Sequence, residues 1–295
     1  MMVGEQNQGI YTEEVVVSPV QVVSISSLKG GVGKTSVTLG LASAALAAGL
    51  PTLVVDLDPH ADASTGLGVR PAGQKDIGHM LKNVRRSDVE PNAVASSWVE
   101  RAAGDVGGRE PVLDVAVGGA FAGIYDRPDL RMRDLRRLRT LLSRTNKYSL
   151  VLIDCPPSLN GLTRMAWTAS NRVLLVAEPS LFSVAGTERS MRALELFRKE
   201  FAPDLATAGV VANRYRPASA EQRFRLDEMR SMFKSSLLSP VLPEQANWQQ
   251  IQGAAYSVHQ WPGEAARQAS GHFDELLRNV TDSGGLRSRA SRAAR

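Results

Sequence analysis

The chain is expected to form an α/β fold: a doubly wound, mostly parallel sheet with helices on both faces. Short apolar runs recur along its 295 residues with helical segments between them, the runs are unbroken rather than alternating, and a glycine-rich turn joins the first run to an apolar helix. Strands buried on both faces read as continuous apolar stretches, whereas a sheet with one wet face alternates. The candidate strands are 22–26, 52–55, 112–117, 150–153, 173–177 and 208–212. Right-handed crossovers between them would gather the following loops at one sheet edge, where open α/β sheets bind nucleotides.

The first strand runs into Leu28-Lys29-Gly30-Gly31-Val32-Gly33-Lys34-Thr35-Ser36, and a helix bearing Val37, Leu39, Leu41, Ala44, Ala45 and Leu46 follows. A glycine-rich turn in this setting lets successive backbone N–H groups converge on phosphate oxygens. Lys34 then reaches the terminal phosphates and the Thr35 hydroxyl ligates Mg²⁺. The ligand class is a nucleoside triphosphate, ATP or GTP. The loop departs from the usual pattern in having Leu28 where the first glycine would stand and Lys29 directly after it.

The second strand ends in Asp56-Leu57-Asp58-Pro59, which sets two carboxylates at i and i+2 on the same side of the strand, at the mouth of the sheet. One can orient the Mg²⁺ shell or the loop lysine; the other can position an attacking water. The segment 126–142 is rich in arginine and spaces Leu135, Leu138 and Leu142 as a helix does, which predicts a surface helix with a basic outer face. Residues 104–109 (GDVGGR) read as a surface loop.

The strand at 150–153 ends in Asp154, the expected second metal anchor, and Pro156 and Pro157 then fix the exit of the chain. Cys155 lacks a His or Asn partner in the sequence and reads as a small buried side chain. The last strand ends in Asn213-Arg214. An amide there is commonly a turn residue, but it can also offer a base edge a donor and an acceptor together.

Composition narrows the function classes. Hydrophobic residues make up 43% of the chain, yet no run reaches the roughly 20 apolar residues of a membrane span. The N-terminus carries Glu5, Glu13 and Glu14 rather than a basic stretch before an apolar one, which argues against a secretory signal. A single cysteine excludes an internal disulfide framework and fits a reducing cytoplasm, and four scattered histidines lack metal-ligand spacing. The net charge of +5 is compatible with nucleic-acid binding. Residues 1–20 are expected to be a flexible extension, 21–280 one ATPase domain, and 281–295 a flexible basic tail with Arg287, Arg289, Arg292 and Arg295.

Taken together, KGGVGKTS, VVDLDPHADASTGLG, YSLVLIDCPPSLNGLT, VVANR and VLPEQANWQQIQGA resemble, in order, the motifs of the ParA family of partition ATPases, within the deviant Walker-A group that includes MinD. The resemblance implies Mg²⁺ and ATP as cofactors, an ATP-dependent homodimer, binding to double-stranded DNA without sequence preference, and hydrolysis stimulated by a ParB-like or adaptor partner. It implies a cytoplasmic, nucleoid-associated protein. By residue, it matches Lys29 to the signature lysine that reaches phosphates across the dimer, Lys34 and Thr35 to the phosphate lysine and metal ligand, and Asp58 to the residue that activates water. Asp56 falls near the metal and Asp154 on the Walker-B aspartate. Asn213, Arg214 and the backbone near Pro243 and Glu244 match the adenine site.

Two positions depart from the family pattern. His60 stands where many relatives have Gln, and the 242–253 stretch lacks the arginines that many carry. The DNA surface is therefore expected elsewhere, on Arg189 and Arg192 and on Arg223, Arg225, Arg230 and Lys234. A MinD-like or cargo-positioning ATPase is the alternative. Stable membrane insertion is not expected, because residues 284–295 offer only Leu286 as a large aliphatic. An iron–sulfur reductase of the same fold would need paired cysteines, and a small-molecule ligase would need a substrate pocket not recognisable in the sequence.

Overall fold

The computed structural model describes residues 20–69, 73–102 and 110–282. The expected N-terminal extension, all but its last residue, the 104–109 loop and nearly all of the basic tail lie outside these.

Seven strands form one sheet: β1 (Gln21–Ser26), β2 (Thr52–Asp56), β3 (Val94–Ala95), β4 (Leu113–Ala116), β5 (Leu150–Asp154), β6 (Arg172–Ala177) and β7 (Ala206–Ala212). Their order across the sheet is β3-β4-β2-β5-β1-β6-β7, and every pairing is parallel except β3 with β4. The six expected strands are all present. The seventh, β3, is two residues of an antiparallel edge, too short to leave a pattern in the sequence.

The helices are α1 (Lys34–Ala47), α2 (Asp62–Gly66), α3 (Ile77–Lys82), α4 (Ser97–Arg101), α5 (Met132–Leu135), α6 (Arg137–Leu142), α7 (Gly161–Ala169), α8 (Leu181–Phe201), α9 (Ala220–Phe233), α10 (Trp248–Gly253) and α11 (Glu264–Asp282). The basic 126–142 segment is not one helix: α5 and α6 are separated at Arg136, and the residues before Met132 are not α-helical. Leu135, Leu138 and Leu142 are nevertheless buried together, so the apolar spacing was sound and only its continuity failed.

Alternation along the strands divides the core into two layers. Val22, Leu53, Val55, Val151 and Ile153 face α3, α6, α7, α8 and α9, while Val23, Ile25, Val54 and Leu152 face α1 and α11. Helix α1 is buried almost all round, as its Ala- and Leu-rich sequence requires. It packs against α11 so closely that a Cβ on Gly40 would lie 2.2 Å from the Phe273 ring.

Candidate functional site: a phosphate loop over two buried aspartates

The loop between β1 and α1 is bound to itself and to the far end of β7. Lys29 N–H donates to Ser27 Oγ at 3.1 Å, and Asn213 Nδ2 donates to the Val32 carbonyl at 2.9 Å. Arg214 Nη1 donates to the Gly31 carbonyl at 2.9 Å. Gly33 adopts φ 90°, and a Cβ there would sit 2.3 Å from Asn213 Nδ2, so both the backbone angle and the brace demand glycine. Helix α1 begins at Lys34 with no side-chain cap and no acidic residue in its first turn. Its first N–H groups and the positive end of its dipole are left to an anion.

Under the loop lie two carboxylates on neighbouring strands, Asp56 paired in register with Asp154, both fully buried. Asp154 accepts from Thr35 Oγ1 at 2.9 Å and from Thr38 Oγ1 at 2.7 Å. Burial pushes its acid up to about 6, against the two threonines and Lys34, which pull it down. Asp56 Oδ2 accepts from the Ser64 N–H at 2.8 Å and Oγ at 2.7 Å, while its Oδ1 meets no donor among the described residues. Burial first and Asp154 second push Asp56 up to about 7. The Lys34 ammonium is buried beside them and is lowered by desolvation, with Asp154, Cys155 and Asp58 opposing.

Above this floor opens a cleft of about 780 Å³, within the range of nucleotide-sized sites. Gly30, Gly31, Gly33, Lys34, Thr35, Ser36, Asp58, Asn213, Arg214, Pro243 and Glu244, all expected from the sequence, line it. Asp56 and Asp154 do not: they lie side by side beneath the cleft, and Asp56 is tied to the first turn of α2. Asn213 spends one amide N–H on the Val32 carbonyl, which leaves its second N–H and Oδ1 for a base. Lys29 does not line the cleft; its Nζ lies 3.4 Å from Ser180 Oγ, just before α8.

The sequence did not suggest Trp248, Gln249, Gln252, His272 and Phe273, which complete the cleft from α10 and α11. Gln252 Nε2 donates to Ser36 Oγ at 3.0 Å, tying α10 to the start of α1. The α10 residues sit within a stretch whose family likeness was recognised. The α11 pair carries no local signal, since an amphipathic helix far along the chain looks the same whether or not it borders a cleft.

The donor set suits a cation carried in by phosphates. Among the described residues no group of three His, Cys, Asp or Glu side chains could hold a metal ion by itself. Thr35 and Asp154 supply two hard oxygens at the loop, the partial set that Mg²⁺ takes when phosphates and waters complete its shell.

The expected DNA residues sit on α8, on α9 and just beyond α9, and three of the six have carboxylate partners. Arg192 pairs with Glu188, Arg230 with Asp227, and Arg225 with both Glu221 and Glu228. Arg225 is only 16% exposed and is the least available of the set. Arg223 donates to the Pro217 carbonyl. Arg189 and Lys234 have no carboxylate partner among the described residues.

An AAA domain family model matches residues 20–207. Chromosome partitioning protein ParA of Caulobacter vibrioides is 33% identical over 230 residues, covering 77% of this chain and 81% of its own. Two solved structures share the fold. Cobyrinic acid a,c-diamide synthase from Mycobacterium smegmatis, with bound ATP analogue and magnesium, has a TM-score of 0.70 at 21% identity over 90% of this chain and 97% of that one. The septum site-determining protein MinD of Pyrococcus horikoshii, complexed with Mg-ADP, has a TM-score of 0.68 at 22% identity over 92% of this chain and 100% of that one. Given this relationship, and a phosphate loop and uncapped helix start assembled over two buried aspartates at one cleft, the chain belongs to the ParA family of phosphate-loop ATPases.

Proposed function

We propose that the protein is a partition ATPase of the ParA type, which binds Mg-ATP, dimerises on it, holds DNA as a dimer and lets go after hydrolysis. The observation that carries this is the loop itself: an uncapped helix start, Lys34 and the Thr35–Asp154 pair converge on a nucleotide-sized cleft. Lys34 and the loop N–H groups bind the β- and γ-phosphates, while Thr35 and Asp154 hold Mg²⁺. The cation, when bound, neutralises charge that builds on the phosphates as the terminal bond breaks. Asp58, on the cleft and 14% exposed, positions the attacking water.

Lys29 lies outside its own cleft, which suits a role in the partner's site, where a γ-phosphate would give it an anion. ATP rather than ADP then drives dimerisation. A dimer doubles every phosphate contact, so a weak basic surface on one subunit becomes an ATP-gated DNA surface on two. A ParB-like or adaptor protein resets the cycle by stimulating hydrolysis. Among the described residues no helix is long and apolar enough to cross a membrane.

The test is duplex DNA binding over a salt series with ATP, ADP or no nucleotide. Binding with ATP alone, to unrelated duplexes alike, and falling steeply with salt is expected. Equal binding in all three nucleotide states would reject the cycle.

A further inference from the structure

The turn after β2 gives Asp58 a neighbour that shapes its chemistry. The His60 N–H donates to Asp58 Oδ1 at 3.0 Å, and the His60 ring Nδ1 meets the same oxygen at 2.8 Å. Behind them the Ala61 N–H donates to the Asp58 carbonyl at 3.0 Å, and Ala61 is held at φ 58°, the left-handed region that non-glycine residues adopt only where the surroundings impose it. Both contacts of the histidine thus fall on one oxygen of the carboxylate. Among the described residues no donor meets the other. Both side chains border the nucleotide cleft, Asp58 mostly covered and His60 open to solvent.

We infer that His60 is a positioning residue for hydrolysis: its two contacts on Oδ1 fix the Asp58 carboxylate and leave Oδ2 as the oxygen that takes the proton from the attacking water. This rests on Asp58 having the water-positioning role proposed above. In the step it serves, the water oxygen bonds to the γ-phosphorus. The bond from that phosphorus to the β–γ bridging oxygen breaks with its electron pair staying on ADP, and the water proton passes to Asp58 Oδ2. A carboxylate fixed in place removes the rotation that would otherwise average its two oxygens, a small orientational gain of the kind that speeds intramolecular reactions.

The histidine also makes the step sensitive to pH. Asp58 and Asp62 act on the ring and favour its charged form, and Lys34 acts on Asp58 from α1. Above the ring's titration, neutral His60 still donates through Nδ1–H and places no positive charge beside the base. Below it, the ring carries a positive charge beside the base, proton uptake by Asp58 is disfavoured, and turnover falls.

The experiment measures phosphate release from Mg-ATP against pH for the full chain and for His60→Ala, His60→Asn and Asp58→Ala, with nucleotide affinity measured alongside. His60→Ala is expected to lower kcat about ten-fold at unchanged nucleotide affinity, since positioning supplies only part of the general-base contribution. His60→Asn, whose amide nitrogen can take the place of Nδ1, should recover most of that loss while lacking the fall on the acid side. Unchanged kcat and pH profile in His60→Ala would overturn the proposal, as would an Asn variant as slow as the Ala variant. Asp58→Ala tests the underlying role separately: it should bind ATP and fail to hydrolyse it, and wild-type turnover in that variant would remove the role of Asp58 itself.

Discussion

Charge is handled in opposite ways on the cleft floor and on the α8–α9 face. On the floor, Asp56, Asp154 and Lys34 are buried, desolvation raises the two acids and lowers the lysine, and Asp56 keeps an oxygen that no donor meets among the described residues. On the α8–α9 face most arginines stand in water, and several already pair with a carboxylate three or four residues away. Burying charge without full compensation costs several kcal/mol and persists where a ligand completes the balance, whereas exposed helical pairs are worth a few tenths and say little about ligands. The lesson is that a basic surface is weaker evidence of a partner than a strained buried cluster.

Four single substitutions and one triple test that contrast. Lys34→Ala should have the largest effect, a loss of Mg-ATP affinity of about 1,000-fold, because the backbone donors alone cannot offset the phosphate charge. Titration calorimetry that still found tight binding would show the buried charges to be structural. Lys29→Ala comes next: sedimentation in ATP should show the dimer weakened about 10- to 100-fold, with nucleotide binding by the monomer little changed. An ATP dimer of undiminished affinity would place Lys29 with the surface charges.

Asp56→Asn probes the floor through stability. The folded protein holds a proton on Asp56 up to about 7, whereas the unfolded chain releases it near 3.8, so the nucleotide-free protein should lose stability as pH rises between those values. The amide removes this buried charge while Oδ1 of Asn can still accept from Ser64. Denaturant melts at pH 8 should show a gain of about 1–3 kcal/mol, with a shallower pH slope and a remainder due to Asp154. A loss instead would mean that the ionised carboxylate is satisfied in the fold. The smallest effect is expected from Arg225→Ala, less than about two-fold on DNA affinity, because that guanidinium already has two carboxylates. Arg223→Glu, Arg225→Glu and Arg230→Glu together should weaken binding to all duplexes by about ten-fold and flatten its salt dependence.

Much of this was legible in the sequence because the governing signals are local. The six apolar runs became strands since a strand buried on both faces needs no partner to be recognised, and the phosphate loop declares itself within nine residues. Asp154 was legible because it ends such a run. What was not legible depends on packing between distant segments. The burial of Asp56 is fixed by the way α2 turns back to offer Ser64, a contact eight residues on that the i+2 spacing with Asp58 does not encode. The cleft wall from α11 and the break at Arg136 are set by tertiary contacts that periodicity does not encode.

The close packing of α11 on α1 has a consequence for synthesis. The phosphate loop leaves the ribosome well before the elements that complete it: its host strand β1 lies between β5 and β6, and its cleft is walled by His272 and Phe273. A nascent chain that has emerged only as far as β4 carries the whole loop motif with neither of the strands that flank it, and one halted before α11 leaves Gly40 facing water where the Phe273 ring belongs. Tight nucleotide capture therefore waits until β5, β6 and α11 have emerged, and the loop motif alone is not a finished binding site.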